Sequence, residues 1–428
     1  MSLFMRATPC RTITNDAIAM SESIASFAIP AHATLSQEQS CLFEQMMCFV
    51  CAHITAGQAA VAVIEGEAGT GKSAFLQHLF VALQRTARGA MPHCLRGTRN
   101  VLLVNHAEMI KAYHHAAESV PCVAKKDYLR PTSFINRMEK SGQRVDIALV
   151  DEAHLLLTRA DPYNRFRHAN QLQEILKYAR VVVIVFDRWQ VLKFKSFWRD
   201  DGLAAILAGR IWQRFQLKQQ LRMAAPQRIL KWLTMLRQGH LAPLPPSSAA
   251  FELSVYDDAR AMYHYICECN RQFGRSRMLA TYDYPYRLDG KDHFIRTGNL
   301  TLRWDRSKPR AKRPWAERNE TIDEVGSVYT VQGFDLEYVG LIIGPSFDWD
   351  QQRQRLIVLP HCHEDDGAMH GKACFGADAL VLTQELMRNA LSVLMTRAVR
   401  GLCLYAHNPK LRQRLCQCQQ RGRLGCSD

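Results

Sequence analysis

An α/β protein with two mainly parallel sheets, each flanked by helices, is what the sequence predicts, and three observations carry that reading. Short apolar runs near 61–65, 101–105, 146–150 and 181–186 alternate with helical periodicity, the pattern of a parallel sheet covered on both faces. The first run, Val61-Ala62-Val63-Ile64, enters Gly66-Glu67-Ala68-Gly69-Thr70-Gly71-Lys72-Ser73 and then the periodic stretch Ala74–Arg85. The run Asp146–Val150 ends in Asp151-Glu152-Ala153-His154, which puts two carboxylates at the end of a strand, where open α/β sheets bind ligands. Further strands are expected near 251–256, 277–281, 326–330, 339–343 and 402–406. The expected organisation is a flexible leader over 1–30, a first domain over 31–210 and a second over 211–428. Prolines 243, 245 and 246 mark a rigid loop inside the second domain, not a linker.

A chain of 428 residues, 47% of them hydrophobic, can bury two or three cores. The formal net charge of +15 favours a polyanionic partner. No run reaches the roughly eighteen apolar residues of a membrane span, and the N-terminus lacks a secretory apolar segment. The expectation is therefore a cytoplasmic chain with no membrane partner, its 14 cysteines reduced and not joined in a disulfide scaffold.

The glycine-rich octapeptide carries the first chemistry. Between a strand and a helix, Gly66, Gly69 and Gly71 let backbone N–H groups, with those of Glu67, Ala68 and Thr70, turn inward around phosphate. Lys72 then supplies a positive charge to the β/γ-phosphates, and the Ser73 hydroxyl is a ligand for Mg²⁺. Asp151 would hold the same Mg²⁺ through water, while Glu152 would polarise the attacking water. ATP with Mg²⁺ is the cofactor pair these residues fit.

Around that core the chain resembles superfamily 1 helicases. Leu35-Ser36-Gln37-Glu38-Gln39 is similar to the motif whose glutamine reads adenine, which implies that role for Gln39. Phe186-Asp187-Arg188-Trp189-Gln190 is similar to the γ-phosphate-sensing motif, with Gln190 as sensor and Phe186 where the family has glycine. Leu217–Arg222, read as the end of a glutamine-rich helix, resembles the fourth motif and makes Arg222 a first arginine finger. Glu324–Asp335 resembles the fifth, implying nucleic-acid or relay roles for Thr330 and Gln332 and a ribose contact for Asp335. Asn389–Ala398 resembles the sixth, with Arg397 as second finger; Val399 stands where that motif has a basic residue, and Arg400 follows. More closely, segments at 103–106, 130–136, 149–157, 280–283 and 324–340 resemble the bacterial Schlafen group 3-like DNA/RNA helicase domains. The resemblance implies two RecA-like domains in tandem, ATP hydrolysis between them, movement on DNA or RNA, and a monomer with both fingers in one chain.

By the same resemblance Asn105 and Thr132 would touch a strand backbone. Tyr284–Trp315, with Trp304 and Trp315 among arginines and lysines, is the candidate stacking surface for bases. Two alternatives stand beside a helicase motor: a nucleic-acid-stimulated ATPase switch that never unwinds, and an ATPase that remodels protein. His361-Cys362-His363 with His370 and Cys374 matches no standard zinc spacing and reads as a polar loop. Cys48 and Cys51 read as core packing on a helix over 42–56, and Cys416, Cys418 and Cys426 as an exposed, frayed tail.

Overall fold

The computed structural model describes residues 35–67, 69–162, 165–198, 202–286, 289, 291–304, 315–331 and 334–424. Ala68, Gln332, Cys426, the basic run 305–314 and the leader 1–30 lie outside the described residues.

The first half runs α1 (Gln37–Thr55), β1 (Ala60–Gly66), α2 (Lys72–Arg88), β2 (Asn100–Val104), α3 (Ala107–Ala116), β3 (Tyr128–Leu129), α4 (Pro131–Ser141), β4 (Val145–Asp151), α5 (Gln171–Tyr178), β5 (Ala179–Phe186), α6 (Gly202–Leu207) and β6 (Ile211–Leu217). Its six strands form one parallel sheet in the order β3-β2-β4-β5-β1-β6. The β1 run is buried over Ala60–Ile64 because helices cover both faces, as an unbroken apolar segment requires. β5 lies between β1 and β4, in register Ile64↔Val185 and Val150↔Ile184. That order brings the ends of the three chemistry-bearing strands together.

The second half runs α7 (Gln227–Arg237), β7 (Glu252–Val255), α8 (Ala259–Phe273), β8 (Arg277–Ala280), β9 (Phe294–Thr297), β10 (Leu300–Trp304), β11 (Glu324–Gly326), α9 (Val328–Val331), β12 (Leu336–Ile343), β13 (Phe347–Asp350), β14 (Arg355–Val358), α10 (Asp366–Met369), α11 (Ala379–Met395), β15 (Ala398–Ala406) and α12 (Pro409–Leu424). Seven strands form the second sheet, β7-β15-β12-β8-β11-β10-β9, parallel except for the β9–β10 hairpin. β13 and β14 make a separate antiparallel pair.

Several expectations change. β6 pairs with β1 from Ala60↔Ile211 to Gly66↔Leu217, so the first sheet extends past residue 210. Its alternation was hidden because it is an edge strand, exposed at Ile211–Arg214. Residues 218–226 are not helical; Leu221 and Arg222 instead donate their backbone N–H groups to Gly69 O at 2.8 and 3.1 Å. The strand expected near 326–330 ends at Gly326 and gives way to the short α9. The C-terminal tail is an ordered helix, not a frayed one: Leu411, Leu415 and Cys418 of α12 are buried, the two leucines in the second core.

Trp304 and Trp315 are inside the molecule. Trp304 is 1% exposed and packs with Tyr282 and Tyr284, while Trp315 is 7% exposed and donates its indole N–H to Glu324 Oε2 at 2.8 Å. Neither ring can stack on a base. The hairpin β9–β10 takes Trp304 into a sheet face, where the area of an indole is worth more than any surface role.

Candidate nucleotide site at the facing sheet edges

The loop between β1 and α2 is shaped by its glycines. Gly69 and Gly71 adopt φ of +91° and +74°, the left-handed region that β-carbons disfavour. A Cβ on Gly71 would stand 2.6 Å from Gln39 Nε2, and one on Gly66 2.8 Å from Thr70 Oγ1. Gln39 reaches the loop from the first turn of α1. Its Oε1 accepts the Ser36 N–H at 3.1 Å, completing a capping box, and its Nε2 donates to Thr70 O at 3.3 Å.

Lys72 is 6% exposed, and its Nζ donates to Gly66 O at 2.7 Å, Glu67 O at 2.6 Å and Asp187 Oδ2 at 3.2 Å. Asp187 sits just beyond β5, hence between the loop and the end of β4. It also accepts Gln190 Nε2 at 2.7 Å and the Trp189 N–H at 3.0 Å. Burial pushes the Asp187 carboxyl upward, but Lys72, His154 and Gln190 outweigh it and hold it below its usual range. Sequence reasoning assigned Gln190 and passed over the aspartate three residues earlier, although the motif contained it.

Asp151 is fully buried at the end of β4. It accepts the Tyr113 hydroxyl at 2.6 Å on Oδ2 and the Glu152 N–H at 2.9 Å on Oδ1, and Ser73 also hydrogen-bonds to it. Burial and the neighbouring Glu152 raise its pKa to about 6, against those hydrogen bonds. Tyr113 comes from α3 and no sequence signal announced it. Glu152 occupies left-handed backbone at φ 50°, ψ 48°, a strained position for a side chain with a β-carbon. Burial and Asp187 raise its pKa, while Lys72, Arg397 and Arg222 pull the other way. His154 Nε2 stands 3.0 Å from Glu152 Oε2, and burial lowers the imidazole to about 4, so it is neutral. Phe186, where a glycine was expected, fills the space between His154 and Trp198, ring centroids 6.4 and 5.9 Å away.

The second half presents Asp335 and Arg397 at the amino ends of β12 and β15, where Leu336 N donates to Arg397 O at 2.9 Å. Arg397 is 1% exposed, donates Nε to Val393 O at 3.0 Å, and leaves its buried Nη2 without a partner among the described residues. Burial and the adjacent Arg222 lower its pKa to about 9, against Asp335, Glu152 and Asp187. Arg222 Nε lies 2.5 Å from Asp335 Oδ1, so the expected ribose contact is here an ion-pair partner. Both guanidinium groups therefore lie in the electrostatic neighbourhood of Glu152.

The remaining expected contacts are spoken for locally. Asn105 Nδ2 donates to Leu155 O at 2.7 Å, Thr132 Oγ1 accepts Gln171 Nε2 at 2.9 Å, and Thr330 Oγ1 exchanges hydrogen bonds with the Ser327 backbone at 2.8 Å. Asn105 follows β2, Thr132 ties the first turn of α4 to α5, and Thr330 lies in α9. In the loop declined as a metal site, His363 Nδ1 is 3.1 Å from Asp283 Oδ1, and Arg159 Nη1 donates to Cys374 Sγ at 3.7 Å.

A glycine loop between the first sheet strand and its helix, acidic ends on neighbouring strands and a second α/β half facing them define a helicase-like P-loop protein. The chain belongs to the Schlafen group 3 DNA/RNA helicase domain family, which it matches over residues 59–408. It is 39% identical over 417 residues to the uncharacterized protein YPL245W of Saccharomyces cerevisiae, covering 90% of this chain and 91% of that one. The resemblance thus extends beyond bacteria. Among solved structures it is similar to the Pif1 helicase from Candida albicans (TM-score 0.37, 12% identity, 90% of this chain and 97% of that chain). It is also similar to a DEAD box protein from Methanococcus jannaschii (TM-score 0.33, 10% identity, 92% and 96%). The family assignment rests on the sequence match and not on these overlays. No helix among the described residues is long and apolar enough to cross a membrane.

Proposed function

We propose that the chain is an ATP hydrolase of helicase type that uses ATP and Mg²⁺ to translocate on, or remodel, single-stranded DNA or RNA. The observation that carries this is the meeting of Arg222 and Arg397 with Glu152 and Asp187, charges from two halves at one cleft. The residues fit the nucleotide. The glycines leave no room for β-carbons against Gln39 and Thr70, and Arg397 Nη2 and Arg222 Nη1 are buried with no partner among the described residues. When bound, ATP·Mg²⁺ supplies the phosphoanhydride to be cleaved and a metal charge that offsets the phosphates. Gln39 would orient the base, and Lys72, now on the Gly66 and Glu67 carbonyls, would serve the phosphates. Ser73 and Asp151 would hold the metal. Glu152 orients and deprotonates water, with the neutral His154 behind it. Gln190, tied to Asp187, reports on the γ-phosphate side. Arg222 and Arg397 stabilise charge that develops only as the bond breaks, so hydrolysis depends on how the halves close. Since both come from one chain, a monomer suffices. Asn105 after β2, Thr132 in the first turn of α4 and Thr330 in α9 are the candidate contacts to a phosphate chain.

The burial of Trp304 and Trp315 favours a second reading, a nucleic-acid-stimulated switch without strand separation, because the aromatic wedge expected there belongs to the core. ATPase rate measured alone and with single-stranded DNA, single-stranded RNA or duplex, across salt, tests the proposal, with Lys72→Ala as the blank. Stimulation by single strands that fades as salt rises is expected. Stimulation without strand displacement in a parallel assay selects the switch. A rate indifferent to every polymer overturns both.

A further inference from the structure

The cysteine pair assigned to core packing on α1 is not alone. The loop after α2 brings His93 and Cys94 against it, and the Cys51 and Cys94 sulfurs and a His93 ring nitrogen all lie within 4.8 Å of one another. Cys94 Sγ is 3.7 Å from His93 Nδ1. Tetrahedral zinc, with Zn–S of about 2.3 Å and Zn–N of about 2.0–2.1 Å, requires a sulfur–nitrogen separation of about 3.6 Å. A fourth donor stands one helical turn before Cys51. Residues three apart share a helix face, which puts Cys48 on the same side of α1 as Cys51. All three cysteines are free thiols, Cys48 and Cys94 exposed and Cys51 half-buried, so an ion has access.

We propose that Cys48, Cys51, His93 and Cys94 form a closed, structural zinc site. Three thiolates and one imidazole make a soft, four-donor set of the kind that selects zinc and leaves no open position for chemistry. Binding releases the three thiol protons to solvent. His93 Nδ1, which accepts the Leu95 N–H at 3.1 Å, exchanges that hydrogen bond for the metal. The other histidine–cysteine group in the chain lacks this geometry, since His363 is engaged by Asp283 and Cys374 by Arg159. The other donor cluster among the described residues, Glu139, His168 and Glu174, has Lys177 Nζ 2.8 Å from both Glu174 oxygens, which is an ion pair and not a cation site.

The site would tie two helices that serve the glycine loop. α1 carries Gln39 in its first turn, α2 begins at Lys72, and the metal would pin the far end of α1 to the segment leaving α2. The pin stands on its ligands alone, whether or not the nucleotide reading holds.

Metal analysis of the purified full chain tests it. One zinc per chain is expected, released by a mercurial thiol reagent. The cobalt-substituted protein is expected to show the visible absorption of a tetrahedral thiolate site. Cys94→Ser and Cys48→Ser should each lose the metal, and Cys374→Ser should keep it. Wild-type measurements decide the matter even if a variant fails to fold. Metal-free protein with every thiol titratable, a Cys51–Cys94 disulfide in non-reducing peptide maps, or zinc that follows Cys374 instead of Cys94 would each overturn the proposal.

Discussion

At the carboxyl ends of β1, β4 and β5 two of the charged groups have close partners, Lys72 with Asp187 and Asp151 with Tyr113. At the amino ends of β12 and β15 the balance is different. Arg397 is as deeply buried as any of those groups, yet one guanidinium nitrogen finds no acceptor among the described residues, and its near neighbour Arg222 carries the same charge. The first edge is the better matched of the two, with Glu152 Oε2 as its open acceptor among the described residues. The second is held in a costly state, because a buried cation with an incomplete hydrogen-bond set is destabilising. On the proposed reading, phosphate charge would complete that hydrogen-bond set.

That contrast can be broken most sharply at Arg397. On the proposed reading, Arg397→Gln lowers kcat by about 10³-fold or more, the scale of an arginine finger, with little change in nucleotide affinity. The same change removes an unpaired buried charge, so thermal stability should hold or rise. Single-turnover hydrolysis and calorimetry on one preparation check both, and an unaffected rate would return Arg397 to a structural role. A second test asks whether the later half offers an aromatic track. Trp304→Ala should cost about 3–5 kcal/mol in denaturant unfolding while leaving polymer stimulation per folded molecule unchanged. Lost stimulation with intact stability would reverse that assignment. The smallest effect concerns Asp151. On the proposed reading Asp151 faces magnesium; its carboxyl holds a proton up to about pH 6, so the metal would have to displace that proton, and apparent affinity for Mg²⁺-nucleotide should weaken by about tenfold per pH unit below 6. The raised pKa also means the folded chain binds more protons than the unfolded one, so this group's contribution to stability falls as pH rises towards 6 and is flat above it. Asp151→Asn should flatten both dependences; titration by calorimetry between pH 5 and 7 reads them.

Local signals made much of this legible. The glycine loop, the strand ending in Asp151-Glu152 and the central buried strands are each written in a few consecutive residues, because a loop that cradles phosphate and a strand buried on both faces constrain every position they contain. The edge strand β6 was invisible since its exposed side chains carry no apolar pattern. Asp187 was within the motif but unassigned, and its partnership with Lys72 spans 115 residues. Trp304 and Trp315 were misjudged for the same reason: basic neighbours in sequence suggested a surface, and Trp304 is buried where β10 pairs with β11, Trp304 opposite Val325.

The sequence by itself determined the family, through the motifs that resemble it, and also the parallel α/β class and the glycine loop, because backbone sterics and short-range periodicity are local properties. Only the tertiary structure decided which indoles are core, that Tyr113 and Asp187 serve the acidic strand ends, and that Cys51 meets Cys94. Those outcomes depend on which strands lie side by side and how far each side chain is removed from water, and neither is written in any short stretch of chain.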